Sequence, residues 1–334
     1  MDLGNLPLLT KVKEYRRRAQ EIKSYLDQHP DEWPRFQAEV SSSIDAILLD
    51  ILRFEQENID SNETQVYRLK KLFERRFRKY FLYGTGMAWT FNKPYGYAGD
   101  FWIIDYIYAN RPSEVGFGRL FDNHFLELGI ATAVRNRKQD FKNIIRDFVR
   151  ERKNEKIRIM DLASGPGRDV KELLEEDSDG IFSKVTFDCC DYDEKALNHM
   201  KGLLTDFNNV QYIHKNAVRL ALKKSIESEF FDRYDLIYST GLFDYLDQRV
   251  ATKLVANLRK LLRPYGMIAI STARDKYSNR SAFLMEWILD WNLIYRTEEE
   301  FRKIFLDGGF LEGEITLLFE KQRIWQYCLA RRSK

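Results

Sequence analysis

The run IRIMDLASGPGRDV, residues 157–170, decides the fold. Ile157, Ile159, Met160 and Leu162 make a short apolar run ending at a turn, the pattern of a strand buried in a parallel sheet. Asp161 sits at its end, Gly165 and Gly167 break the chain, and RDV opens a helix. Glycines after a buried strand let backbone approach a ligand closely, and the following helix offers unpaired N–H groups. A dinucleotide fingerprint needs a third glycine three residues beyond Gly167. Val170 stands there, which disfavours a dehydrogenase.

Toward the C-terminus the short apolar pattern recurs in KVTFDCCD, VQYIH, YDLIYS and MIAIST. Helical stretches separate these runs, notably EKALNHMKGLLTDF and QRVATKLVANLRKLL. Strands alternating with helices imply a parallel sheet covered on both faces. The end differs. GEITLLFE and RIWQYCLARR are joined by a few polar residues and no helix, which predicts an antiparallel hairpin at the sheet's edge.

Toward the N-terminus, Arg119 to Glu151 reads as one or two long helices, and residues 1 to about 92 as helical throughout. Leu69, Leu72, Phe73, Phe77, Tyr80 and Phe81 form an apolar stripe ringed by Arg68, Lys70, Lys71, Arg75, Arg76, Arg78 and Lys79. Such a basic helix can meet nucleic acid or anionic lipid, but a solvated face over a buried stripe is the simpler account. The predicted organisation is a helical cap over residues 1–117 and a sheet domain over 118–334.

Composition bounds the rest. The 334 residues are 44% hydrophobic and 31% charged, which describes a globular chain with room for a large core. A formal charge of +3 gives no strong pull toward nucleic acid or membrane. Cys189, Cys190 and Cys328 cannot build a disulfide framework, so a reducing cytoplasm is expected. The opening residues have no sustained apolar run and do not read as a signal peptide, and no stretch is long and apolar enough for stable membrane insertion. His29, His124, His199 and His214 lack metal-ligand spacing, so no metal is expected.

With Asp161, Ala163, Gly165 and Gly167 in this order, the opening run resembles motif I of the class I S-adenosylmethionine-dependent methyltransferases, Ala163 replacing the first glycine. The resemblance implies a Rossmann-like seven-stranded sheet, mostly parallel with an antiparallel C-terminal hairpin. It also implies S-adenosyl-L-methionine as cofactor, lined by Asp161, Ala163, Ser164, Gly165 and Gly167. By the same resemblance Asp191 takes the ribose hydroxyls, Tyr192 covers the adenine, and Asn216-Ala217 stands where the family holds an acid for the adenine amino group. YSTGLFDYL, residues 238–246, places Ser239 where cofactor and acceptor meet, and RPYGM looks like the family's Pro-Gly-Gly turn with Tyr265 in the middle.

Taken together, YGYAGDFWIIDYIY, LASGPGRDV, STGLFDYL and FLMEWILDWNLIYRTEEEF look like the bacterial methyltransferases of 3-hydroxypalmitic acid methyl ester biosynthesis, over about residue 65 to the end. That implies methylation of a fatty-acid carboxylate. A carboxylate is ionised at neutral pH and needs no base; it needs a cation and an apolar channel. Arg296 is the first candidate anchor, with Tyr295 and Trp291 as walls, and Arg135 and Arg137 follow. A hydroxyl acceptor would need a base, for which Asp244 or Tyr245 stands after the fourth strand. KPYGYAGDFW, residues 93–102, then reads as the rim of a lid, with Tyr97 and Asp100 toward the cofactor's methionine end or the acceptor; a packed corner is the alternative. Two rival functions stay open: O-methylation of a polyketide or phenolic product, and a cofactor-binding interaction module without turnover. No Asn/Asp-Pro-Pro-Tyr follows the fourth strand, which argues against a nucleic-acid acceptor. A homodimer is compatible with the sequence, the helical layer either capping its own site or exchanging onto a neighbour.

Overall fold

The computed structural model describes residues 7–152, 155–224 and 234–333. The chain divides into two compact units, one of residues 1–132 with 276–292, the other of 133–275 with 293–334. The division falls within a helix near residue 132 and not at residue 117, because the helix Gly116–Glu127 packs among the N-terminal helices. A distant segment, Lys276–Asn292, also joins the first unit.

The first unit is helical. It comprises α1 (Pro7–Leu26), α2 (Pro34–Arg76), α3 (Thr85–Asn92), α4 (Phe101–Ala109) and α5 (Gly116–Glu127), followed by α6 (Gly129–Glu151), in which the units divide. Leu8, Val12, Tyr15, Ala19, Ile22 and Leu26 recur every three or four residues and are all buried, which is why α1 lies against α2 along one stripe. At Asn62 the backbone of α2 leaves the helical region, and the Asn62 side chain accepts the Gln65 N–H at 3.2 Å. An asparagine that caps the following turn breaks the hydrogen-bond ladder and kinks the helix. Of the basic stripe, Leu69, Phe73, Phe77 and Phe81 are buried while Arg68, Lys71, Arg75, Arg76 and Lys79 are exposed, the solvated-face arrangement.

The stretch 93–102 is a corner built on an acid. Lys93, Gly96 and Gly99 take positive φ and turn the chain between α3 and α4. Asp100 is 1% exposed; its carboxylate caps α4 by accepting the Ile103 N–H at 3.0 Å and accepts the Trp89 indole N–H at 3.0 Å. Trp89 stacks on Trp102 at 3.8 Å and Tyr95 on Phe101 at 5.0 Å. The sequence reading turned Asp100 toward a ligand. Instead its carboxylate is occupied inside this unit, with Tyr97 half-buried in the same corner. The returning segment contributes α11 (Ser281–Phe283) and a π-helical turn, Leu284–Ile288. Its Trp287 donates to the buried Glu55 of α2 at 2.7 Å, and Lys276 pairs with both Glu55 and Glu286.

The second unit is a seven-stranded sheet with order β3-β2-β1-β4-β5-β7-β6. The strands are β1 (Ile157–Leu162), β2 (Val185–Asp191), β3 (Val210–His214), β4 (Tyr234–Ser239), β5 (Leu262–Ala273), β6 (Ile315–Phe319) and β7 (Trp325–Arg331). Strands β1 to β5 are parallel; β7 runs antiparallel to both β5 and β6. The expected hairpin therefore forms, with β7 inserted beside β5 and β6 at the edge. This is the class I methyltransferase architecture, seven-stranded and Rossmann-like. Between the strands run α7 (Arg168–Glu175), α8 (Glu194–Leu203), α9 (Ala217–Leu222), α10 (Gln248–Leu261) and α12 (Glu298–Asp307). One face packs Leu254, Val255, Leu258, Phe301 and Phe305 against Ile237, Ile268 and Cys328. On α6, Phe141 packs against the rings of Tyr238 and Tyr327. The registers Asp161↔Cys189, Cys189↔Tyr212 and Asp161↔Tyr238 bring the carboxyl ends of β1 to β4 to one edge.

Asp100→Ala removes both a helix cap and a buried indole partner. It is expected to destabilise the protein by about 1–3 kcal/mol in urea titration; a change below about 0.5 kcal/mol would contradict the corner described here.

Candidate functional site

The chain leaves β1 through a turn whose backbone is left-handed at Ala163 (φ 59°), Gly165 (φ 56°) and Gly167 (φ 67°). Alanine thus keeps a glycine-like conformation where the motif departs from glycine, at a cost on the order of 1 kcal/mol. The turn hangs from the end of β2. The N–H groups of Ala163 and Ser164 donate to the Cys190 carbonyl at 2.8 and 3.2 Å, and the Gly165 N–H donates to Asp191 Oδ2 at 2.9 Å. A side chain on Gly167 would meet Met200 Cγ of α8 at 2.5 Å, so this glycine serves close packing. The corresponding point on Gly165 meets no atom of the described residues within 4 Å, its chain neighbours aside, which leaves the mouth of the turn open. Gly167 precedes α7, whose first N–H groups face the same turn.

Acids gather beneath the turn. Asp161 is buried, and its Oδ2 has no hydrogen-bond partner. Burial pushes its carboxyl well above the usual range, and the neighbouring Asp169 adds to the push. Asp169 accepts the Tyr238 hydroxyl at 2.9 Å. Burial also raises Asp191, against the opposing effect of the Asp193 and Gly165 N–H groups. Ser164 Oγ is a second buried, unpartnered polar atom. An unpaired carboxylate oxygen beside two other acids suits a ligand that brings a cation. Asp191 holds its two N–H donors with one oxygen each, and carboxylate oxygens have further lone pairs for hydroxyl groups. Tyr192 is exposed beside it. Asn216 caps α9 by accepting the Arg219 N–H at 3.1 Å, and Ala217 begins that helix, buried.

Several expected residues are engaged elsewhere. Ser239 is buried and donates to the Leu162 carbonyl at 2.7 Å, tying β4 to β1; this takes it off the ligand surface. Arg296 is buried beneath the loop after β4. It donates to the Phe243 carbonyl at 2.7 Å, to Thr272 Oγ1 at 3.2 Å, to Gln248 Oε1 at 3.3 Å and to the Leu246 carbonyl. Four of the five guanidinium hydrogens are thereby committed to the fold, so Arg296 is a structural tie and not the anchor expected for an acceptor. Trp291, expected as a wall, is buried in the first unit. Tyr295 and Arg135 are half-buried, and Tyr245 is exposed.

Asp244, in the loop after β4, is buried and accepts the Ala273 N–H at 2.7 Å and the Thr272 hydroxyl at 3.2 Å. Its Oδ2 lies 3.7 Å from Arg137 Nη1. Burial lifts its carboxyl to about 6, against the pull of Arg137 and the Ala273 N–H. Asp169, Tyr238 and Arg137 are the site-edge residues that the motif reading left aside or ranked low. Asp169 carries a sequence signal, as an acid in the first turn after the glycines; Tyr238 and Arg137 carry none beyond residue type. Among the described residues no cluster of His, Cys, Asp and Glu could hold a metal ion, and no helix is long and apolar enough to cross a membrane.

A family model described as "Putative methyltransferase" matches residues 78–271. No curated protein matches the chain. Among solved structures, a possible exported protein from Bordetella parapertussis is similar over 70% of this chain and 80% of its own, at 18% identity and a TM-score of 0.56. The CurJ carbon methyltransferase matches 63% of this chain and 57% of its own at 15% identity and a TM-score of 0.48. Magnesium protoporphyrin IX methyltransferase from Synechocystis PCC 6803, with bound SAH, matches 61% and 87% at 15% identity and a TM-score of 0.46. At such identities the likeness is one of fold.

The Asp244 carboxyl has a reference value of 3.8 and stands at about 6 in the fold. Folding therefore favours its protonated form. That stability is complete below about pH 4 and is lost as pH rises through about 6. Asp244→Asn has no such titration. The stability of wild type relative to this variant is expected to fall by up to roughly 3 kcal/mol between pH 4 and pH 7.5, read by denaturant titration at each pH. A rise over that interval would mean that Arg137 and Arg296, the two cations facing Asp244, outweigh burial.

Proposed function

Because the chain belongs to a family of methyltransferases, we propose that it transfers a methyl group from S-adenosyl-L-methionine to an oxygen of a small molecule, the carboxylate of a fatty acid bearing an apolar tail. One observation carries the cofactor half of this reading. An open glycine turn, held by Asp191, stands over the buried Asp161 oxygen that lacks a partner. Asp161, with Asp169 behind it, would balance the positive charge of the cofactor's methionine end. Ser164 and the open face of Gly165 would line it, and Asp191 would take the ribose hydroxyls. Tyr192 would cover the adenine and Asn216 would accept from its amino group through a remaining lone pair, with the Ala217 N–H nearby. The cofactor supplies an already electrophilic methyl on a sulfonium.

The protein's task is then to align an acceptor oxygen behind that methyl and to keep water away. The oxygen–carbon bond forms as the carbon–sulfur bond breaks, and the electron pair of that bond stays on sulfur. With a carboxylate acceptor no proton moves, and the products are a neutral ester and a neutral thioether. The fatty-acid class rests on the combined resemblance of YGYAGDFWIIDYIY, LASGPGRDV, STGLFDYL and FLMEWILDWNLIYRTEEEF to the fatty-acid methyl ester enzymes. A hydroxyl acceptor is the second reading. Its support is Asp244, whose carboxyl stands at about 6 and could act as the base at neutral pH.

Calorimetry tests the cofactor site directly. Wild type is expected to bind S-adenosylhomocysteine at micromolar concentration, and Asp191→Ala to weaken it at least tenfold, on the order of 1.4 kcal/mol or more. No binding to the wild type, or equal affinity in the variant, would overturn the assignment.

A further inference from the structure

Arg137 differs from every other cation described at this edge of the sheet. It is 3% exposed, and neither Nε nor Nη1 has a hydrogen-bond partner. A guanidinium stays charged at any working pH and carries five donors. Burying it without hydrogen bonds costs several kcal/mol, so folds rarely retain such a group without a use. Arg296, only a short distance away through Asp244, shows the ordinary solution: its donors end on carbonyls, a hydroxyl and an amide oxygen. Arg137 lies with its guanidinium carbon 4.1 Å above the Trp325 ring, a contact that positions the plane but uses none of the N–H groups. Asp244 Oδ2 at 3.7 Å offsets part of the charge from beyond hydrogen-bond reach.

The place matters as much as the lack of partners. Gly241 follows β4 on the edge where the glycine turn also ends. Among the described residues, leaving aside Gly241's chain neighbours, the one atom within 4 Å of the point where a Gly241 side chain would begin is Arg137 Nη2, at 3.7 Å. A glycine thus leaves the space after β4 uncrowded by a side chain, and Arg137 Nη2 borders it, while Nη1 faces Asp244. A charged N–H donor at that position can hold one oxygen of a carboxylate.

We propose that Arg137 anchors the acceptor through its negatively charged oxygens, so that this site selects a carboxylate over a neutral alcohol. The proposal rests on the methyl-transfer reading and names the residue that would set its substrate class. Holding one carboxylate oxygen on the guanidinium leaves the other in place at the end of β4 to form the new bond.

The test uses octanoate and 1-octanol, acceptor-sized probes that differ in charge, titrated into the full chain saturated with S-adenosylhomocysteine. Wild type is expected to prefer octanoate at least tenfold. Arg137→Gln is expected to lose that preference while keeping its affinity for 1-octanol and for S-adenosylhomocysteine. An unchanged preference in the variant, an equal loss of both probes, or no octanoate preference in the wild type would overturn the proposal. Should the glutamine variant melt well below wild type, Arg137→Lys keeps the buried charge and loses the guanidinium donor at Nη2. A preference reduced at least threefold then supports the anchor, and an undiminished one contradicts it. Failure of the wild type to bind S-adenosylhomocysteine is read in a separate titration and would refute the methyl-transfer reading instead.

Discussion

One hydrogen bond organises the site: the Gly165 N–H on the Asp191 carboxylate, at 2.9 Å. It joins the turn after β1 to the end of β2, the neighbouring parallel strand. Two further N–H groups of the turn end on the Cys190 carbonyl, one residue earlier in β2. The glycine turn is therefore suspended from β2, and its three left-handed residues follow from that suspension. The same carboxylate that shapes the turn also accepts the Asp193 N–H, and its oxygens keep further lone pairs. The cost appears beneath it, where Asp161, Asp169 and Asp191 crowd together and burial raises all three carboxyls. Such crowding is relieved by a bound cation.

A second constraint acts at the end of β4. Three charged residues lie buried there, and their partners separate their roles. Arg296 is tied to the loop after β4 and to β5, which fixes the loop. Asp244 is held by the backbone of β5. Arg137 has neither kind of tie. Residue type alone does not separate the two arginines; burial with and without hydrogen bonds does.

The architecture was readable because it rests on local patterns. The apolar runs that predict β1 to β5 are strands, buried except for the largely open β3 at the sheet's edge, and the polar link between GEITLLFE and RIWQYCLARR is a hairpin. RPYGM, expected as a turn before the fifth strand, lies inside β5 instead, where the pairing with β4 shifts register and Tyr265 takes a φ of 64°. Motif I was readable for the same reason, since its glycines answer to backbone conformation. What escaped the sequence were facts about partners far along the chain. Asp100 looked like an acid awaiting a ligand because nothing in KPYGYAGDFW announces that Trp89 will claim it. Ser239 looked available because its tie to Leu162 crosses 77 residues. Trp291 stood near Arg296 in sequence, yet the segment Lys276–Asn292 belongs to the helical unit. The sequence ranked Arg296 ahead of Arg137, because the carbonyls around Arg296 and the lack of partners on Arg137 Nε and Nη1 are not visible in it.

The central claim is that this chain makes methyl esters with S-adenosyl-L-methionine. It is tested most directly by incubating the protein with methyl-labelled S-adenosyl-L-methionine and a fatty-acid-rich metabolite extract, then treating the organic-extractable product with mild alkali. The account predicts label in that fraction, released as methanol by hydrolysis of the ester. Label that resists alkali would mean an ether or carbon acceptor, and label in RNA or protein with none in the organic fraction would contradict the account outright.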